Sequence, residues 1–324
     1  MWSIKTIALV FFVFTSSFVL AQGVPGADEN IPFLVTFGNE AEQGYGDDDF
    51  SQSFFFVVPE TQITPVFIRI FDPNVGGEID ENIGGFNTKT RFSVYGGAKT
   101  YSEQDAQKID PVGKFKSGNM LDSRVFGDEL EFDDKWFNFG PYNPKEGEFV
   151  EELGGYVFKV ISEGIVGNDG NLFRYFMSVD KDKNEEVEGG NAFTYEYSFR
   201  LHDDVDQVSH IYPYVGEGVI SIKQYNFDFD ADGVLRVISI AKNGELMNTS
   251  READWATSTH TIKDEEHNTS LDIQFIKAKS KKIKNNNIVF YLTNQYGEFL
   301  PFYTVPIGGI PKFRYKATIK KKSE

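Results

Sequence analysis

The chain contains no cysteine. That excludes disulfides, thiolate metal sites, a cysteine nucleophile and a lipid-modified N-terminal cysteine. Histidine is scarce too: His202, His210, His260 and His267 are all there is. His202 and His210 stand eight apart around an Asp-rich turn, and no His-Glu-x-x-His run occurs, so a zinc signature is missing and surface or capping roles are expected. The chain has no Gly-x-Ser-x-Gly elbow, P-loop or Rossmann glycine pattern. Ser178-Val179-Asp180-Lys181 fits Ser-x-x-Lys, but it stands where a strand enters an acidic loop and reads as chance. Positive charge is short, with 32 Lys and Arg against 49 Asp and Glu. The net charge of −17 argues against a general nucleic-acid surface. Past the first twenty residues, no apolar run is long enough to span a bilayer.

Aromatic residues are abundant, with 32 Phe and 15 Tyr, which is ample apolar area for a core and argues against global disorder. The N-terminus reads as a secretory signal over residues 1–21. Lys5 supplies the positive region, Ile7 to Val19 the apolar run, and Val19-Leu20-Ala21 a small-residue cleavage site ahead of Gln22. A periplasmic or extracellular location is expected after cleavage near Ala21-Gln22, with no membrane span. Asn248-Thr249-Ser250 and Asn268-Thr269-Ser270 are formal glycosylation sequons that matter only in a eukaryotic secretory route.

Period-two alternation recurs along the chain, and helical periodicity is rare. Phe193, Tyr195, Tyr197, Phe199 and Leu201 alternate with Thr194, Glu196, Ser198 and Arg200, the pattern of a half-buried antiparallel strand. Further strands are expected at residues 32–37, 53–58, 66–71, 88–95, 156–161, 171–179, 219–227, 234–240, 271–275, 287–293 and 312–319, separated by Gly, Asn, Asp and Pro clusters. Many short strands without helices predict an all-β fold: two antiparallel β-sandwich modules in tandem, jelly-roll or immunoglobulin-like. The modules are placed at 30–201 and 207–320, with the boundary at the acidic turn His202–Asp206. Val66–Phe71 runs into Asp72-Pro73-Asn74-Val75-Gly76-Gly77, and Ile220–Phe227 into Asp228-Phe229-Asp230-Ala231-Asp232-Gly233. This echo alone does not establish duplication, since any two hairpins share such grammar.

Charge is uneven. Residues 277–324 hold ten Lys and Arg314 against Glu298 and Glu324, a net +9. Loss of Lys5 with the signal takes −17 to −18, which leaves −27 on the rest. Over 312–320, Lys312, Arg314, Lys316 and Lys320 share one face of the expected strand. They read as edge protection or as a face for an anionic partner.

The stretches Phe37-Gly38-Asn39-Glu40, Gly46-Asp47-Asp48-Asp49-Phe50, Phe54 to Pro59, Ile68 to Pro73, Phe86 to Thr90 and Ser93 to Gly97 carry a likeness. Residues 30–200 resemble a β-rich region of exported Bacteroidota envelope proteins. In some of these the region precedes an OmpA-like peptidoglycan-binding domain. The Asn…Leu-Ser…Arg-Ala pattern of that domain is missing, so peptidoglycan binding does not carry over with the resemblance, and the resemblance supplies no catalytic residues.

Calcium needs several hard oxygen ligands, and alternate Asp residues on a tight Gly-containing loop supply them. Asp228, Asp230 and Asp232 match the first half of an EF-hand loop, but the twelfth position is Ser239, so another loop must complete any shell. Second in rank is Asp180, Asp182 and Asn184, where Glu185 replaces the turn glycine. Third come Asp47 and Asp49 with Asp72 and Asp80, on loops that sandwich ends bring together. The competing reading of each is a solvated acidic turn. Trp136, Phe137, Phe139 and Tyr142 lie in a loop-like stretch and suit either a sugar-stacking platform or a buried plug. The reading is an exported, non-enzymatic protein that binds or scaffolds in the cell envelope, with an envelope protein or polysaccharide as partner and calcium as stabiliser. The alternatives are a secreted carbohydrate-binding protein and, below it, a glycoside-active enzyme using paired carboxylates.

Overall fold

The computed structural model describes residues 23–315 apart from 282, 283 and 285. The expected signal and Lys316 and Lys320 of the basic face lie outside these residues. Secondary structure is almost wholly β, with short 3-10 turns between strands. No helix among the described residues is long and apolar enough to cross a membrane.

Sixteen principal strands fall into two runs of eight. The first run is β1 (Phe33–Phe37), β2 (Ser51–Pro59), β3 (Val66–Phe71), β4 (Lys89–Gly96), β5 (Asn119–Phe126), β6 (Trp136–Tyr142), β7 (Gly155–Val166) and β8 (Gly170–Ser178). The second is β9 (Glu196–Arg200), β10 (Val208–Ile211), β11 (Ser221–Phe227), β12 (Gly233–Ile238), β13 (Asn243–Met247), β14 (Trp255–Thr261), β15 (Asp272–Lys277) and β16 (Asn287–Asn294). In the first run β1-β8-β3-β6 form one sheet, and β2-β7-β4-β5 lie side by side in another. The second run repeats this order, with β9-β16-β11-β14 in one sheet and β10-β15-β12-β13 in another. Each run is an eight-stranded antiparallel jelly-roll sandwich. The sequence echo therefore marks equivalent positions: β3 corresponds to β11, and both acidic turns follow that strand.

The two sandwiches share a sheet. β1 pairs with β9, with Phe199 opposite Leu34, so one nine-stranded sheet runs β14-β11-β16-β9-β1-β8-β3-β6, with Gly23–Val24 added beside β8. By this order β9 opens the second sandwich, so the boundary expected at His202–Asp206 falls inside it. A further cross-link comes from Asn191–Thr194, which pairs with β2 on one side and with Phe302–Tyr303 on the other.

The expected strand 193–201 is thus two strands, broken at Tyr195 where the chain passes from one sheet to another. Phe193 and Tyr195 pack in a satellite cluster with Phe55, while Tyr197, Phe199 and Leu201 enter the main core. The polar residues do not face solvent: Glu196, Ser198 and Arg200 are all buried. The main core is continuous across both sandwiches. Rings link Phe54 to Tyr197 at 5.4 Å, Phe199 to Phe275 at 5.2 Å and Phe275 to Phe290 at 5.4 Å. Edge-on aromatic contacts of this kind add about 0.5–1.5 kcal/mol each beyond area burial.

Candidate cation-binding loops

The two equivalent turns are built alike. Asp72 and Asp228 each follow the last strand residue with a left-handed backbone, φ 55° and 59°. Asp tolerates that conformation better than bulkier residues do. Asp72 Oδ1 accepts from the Asp134 N–H at 3.1 Å, and Asp228 Oδ1 from the Ala253 N–H at 2.8 Å. Two residues further on, Trp136 and Trp255 open the neighbouring strands opposite Phe71 and Phe227, with rings 5.4 and 5.1 Å apart. One carboxylate therefore latches two loops at the same place in each sandwich.

In the second sandwich Asp228 and Asp232 are buried and Asp230 is half-buried. Burial pushes the Asp228 carboxyl up to about 7, and nearby Asp230, Glu252 and Asp232 push the same way. Asp230 rises to about 6, chiefly from burial. Asp230 Oδ1 and Asp232 Oδ2 meet no hydrogen-bond partner. Lys281 Nζ stands 3.4 Å from Asp232 Oδ1, so one cation of the chain already faces this turn.

In the first sandwich Asp72 and Asn74 are fully buried, and Asp72 Oδ2 and both side-chain atoms of Asn74 lack partners. Asp133 packs over Gly77, whose φ of 79° is the left-handed backbone that favours glycine. Asp80 accepts from Gly76 N–H at 2.7 Å and Leu172 N–H at 2.6 Å. Asp47 and Asp49 lie on a different loop, so the third-ranked set divides into two separate groups.

Asp180, Asp182 and Asn184 form an open hairpin. Asp180 Oδ1 accepts from the Asp182 N–H at 2.7 Å, which holds its carboxyl below the usual range. Asn184 Oδ1 accepts from Arg69 at 2.6 Å. Asp182 and Asn184 are exposed, so this turn is open to solvent.

Asp47, Asp48 and Asp49 present carboxylate oxygens within 4.8 Å of one another, the one such group of three acidic or His residues among the described residues. Sequence reading missed Glu196 and Asp48 here. Burial raises all four carboxyls above the ordinary range, and the Asp triad raises Glu196 further.

Trp136, Phe137, Phe139 and Tyr142 are not on a loop but on β6, which pairs with β3. Phe139 and Tyr142 are buried, and Trp136 and Phe137 are half-buried, with Phe137 and Phe139 in ring contact at 5.1 Å. Phe137, Phe139 and Tyr142 belong to the main core, whereas the half-buried Trp136 packs on Phe71 and Phe176 outside it. The expected strand over 312–319 is absent from its described part: residues 311–315 are irregular, Lys312 and Arg314 are exposed, and Tyr315 is 83% exposed instead of entering the core. Arg314 N–H does bond Ile240 O at 3.1 Å, laying this segment along the second sandwich. His210 and His260 lie on strands, and each pairs with one carboxylate, Asp272 at 2.8 Å and Glu245 at 2.6 Å.

Compared with known proteins, the chain matches no family model and no curated protein.

Proposed function

We propose that the protein is an exported, non-enzymatic double jelly-roll that binds or scaffolds in the cell envelope, with calcium stabilising its acidic loops. The observation that carries this reading is the recurrence, once per sandwich, of a buried acidic turn after β3 and β11. Each turn holds hard oxygens that no protein donor meets. Calcium would satisfy those oxygens and offset the repulsion among Asp228, Asp230 and Glu252. The shared sheet supports a scaffolding role, because it fixes the two sandwiches and their loops in one frame. The partner class is an envelope protein or polysaccharide, and the exposed Lys312 and Arg314 suit an anionic one.

The test is fractionation of cells making the full chain, with and without EDTA. A product beginning near Gln22, held on the envelope and released by EDTA, is expected. Unprocessed chain embedded in membrane, or envelope retention indifferent to EDTA, would overturn the reading.

A further inference from the structure

Among the buried carboxylates, one group stands where the two sandwiches meet. The loop that carries Asp47, Asp48 and Asp49 belongs to the first sandwich but packs on the second. Asn287 Nδ2 of β16 donates to Tyr45 O at 2.9 Å. A Cβ on Gly46 would lie 2.4 Å from the Asn287 Cβ, so the backbones are in close approach. Ser198 Oγ on β9 donates to Gly46 O at 3.2 Å. Glu196 and Ser198 share a face of β9, because strand side chains alternate. The Glu196 side chain is thereby turned toward the same loop.

Glu196 is 6% exposed, and its Oε1 has no hydrogen-bond partner. Asp49 Oδ2 is also buried without one. Asp47 accepts from Phe37, Phe50 and Asp49 N–H groups, at 2.9, 2.7 and 3.3 Å, which fixes its carboxylate in place. Asp49 Oδ1 accepts from Ser51 N–H at 2.9 Å. The other charges acting on Glu196 are acidic, Asp110 included. Lys108 lines a small recess beside Glu196, but its ammonium bonds Asp105 at 2.8 Å. Three carboxylates within 4.8 Å of one another, with the unpartnered Glu196 on the strand that faces their loop and no nitrogen or sulfur donor among them, suit a hard divalent ion of flexible coordination.

We propose that Asp47, Asp48, Asp49 and Glu196 form a calcium site that fastens the first sandwich's loop to the strand joining the two sandwiches. The proposal takes its ion from the calcium reading above but uses none of the residues of the two equivalent turns. That separation makes the two ideas independently testable.

The experiment is calcium titration calorimetry on the whole mature chain, with melting curves in EDTA and in calcium, and magnesium chloride as a second probe. The variants are Glu196→Gln and Asp48→Asn, with Asp230→Ala as the comparison. Asp48 is half-buried, so its variant keeps the test open should Glu196→Gln fold badly. Each site variant is expected to lose one calcium equivalent, or to weaken that class of site at least tenfold. Glu196→Gln should also rise less in melting temperature than the wild type on adding calcium. Asp230→Ala should leave this class intact. Unchanged stoichiometry and unchanged calcium response in both site variants would overturn the site, even where Asp230→Ala shows that the turns bind. Retention of this class when Asp230→Ala changes nothing would instead support the site and count against the turns. A wild-type chain that takes up no calcium would overturn both.

Discussion

Glu29 gives the sharpest test of how burial governs charge in this fold. It is fully buried at the end of the short turn Ala27–Glu29. Tyr197 of β9 donates to its Oε1 at 2.7 Å and its Oε2 at 2.9 Å, and Gly26 N–H reaches Oε2 at 2.5 Å. Those bonds favour the ionised form, but burial outweighs them and pushes the carboxyl from 4.5 up to about 8. The folded state therefore holds a proton that the unfolded state has released between these values. Stability from this group is complete below pH 4.5 and is lost as pH rises toward 8. At about 1.4 kcal/mol per pH unit, the loss between pH 5 and pH 8 is roughly 4 kcal/mol. Glu29→Gln keeps the shape and cannot ionise, so it lacks this loss. Urea unfolding of both proteins in EDTA at pH 5, 6.5, 8 and 9, at fixed ionic strength, should show the stability difference moving in the variant's favour by roughly that amount and levelling off above pH 8. The other buried carboxyls titrate in both proteins and cancel in the difference. A gap that stays constant from pH 5 to pH 9 would refute the reasoning.

Three further outcomes follow from packing. Phe139→Ala should cost about 3–5 kcal/mol in urea unfolding, the range for emptying an aromatic core site, without altering retention on immobilised polysaccharide. Lys242 and Glu266 form a buried ion pair, with Ser239 and the Lys263 N–H also on the carboxylate. Lys242→Met should cost about 3–5 kcal/mol by stranding Glu266, and adding Glu266→Leu should recover much of it, as a double-mutant cycle would measure. Gly164→Ala should lower the melting temperature by several degrees, because a Cβ there would lie 1.8 Å from Phe37 O where β7 crosses β1.

The strands were largely legible because alternation reports one buried face. Val66–Phe71 has the bounds expected of it, and β1, β2, β4, β8, β11 and β16 are close to theirs. Alternation does not report what covers the polar face. Glu196, Ser198 and Arg200 read as solvent-facing, yet the loop before β2 and the neighbouring strands bury them. This is why Glu196 escaped notice while Asp47 and Asp49 did not. β6 was hidden for another reason: Trp136-Phe137-Asn138-Phe139-Gly140-Pro141-Tyr142 is interrupted by Gly and Pro and flanked by Asp, so it resembles a loop. To the eye the two runs share little sequence beyond the Asp72 and Asp228 turns. Strand order, rather than residue identity, is what repeats, and a sheet order is a relation between distant segments that local patterns do not carry.

The most direct test of a calcium-stabilised double sandwich is a crystal structure of the mature chain grown in calcium, with anomalous difference maps collected where calcium scatters strongly. The account predicts anomalous peaks ringed by oxygens at the Asp228 turn, at its equivalent by Asp72 and Asn74, and between Asp47–Asp49 and Glu196. Maps in which only waters and the Lys281 ammonium meet these oxygens, with no anomalous signal at any of the three, would contradict it.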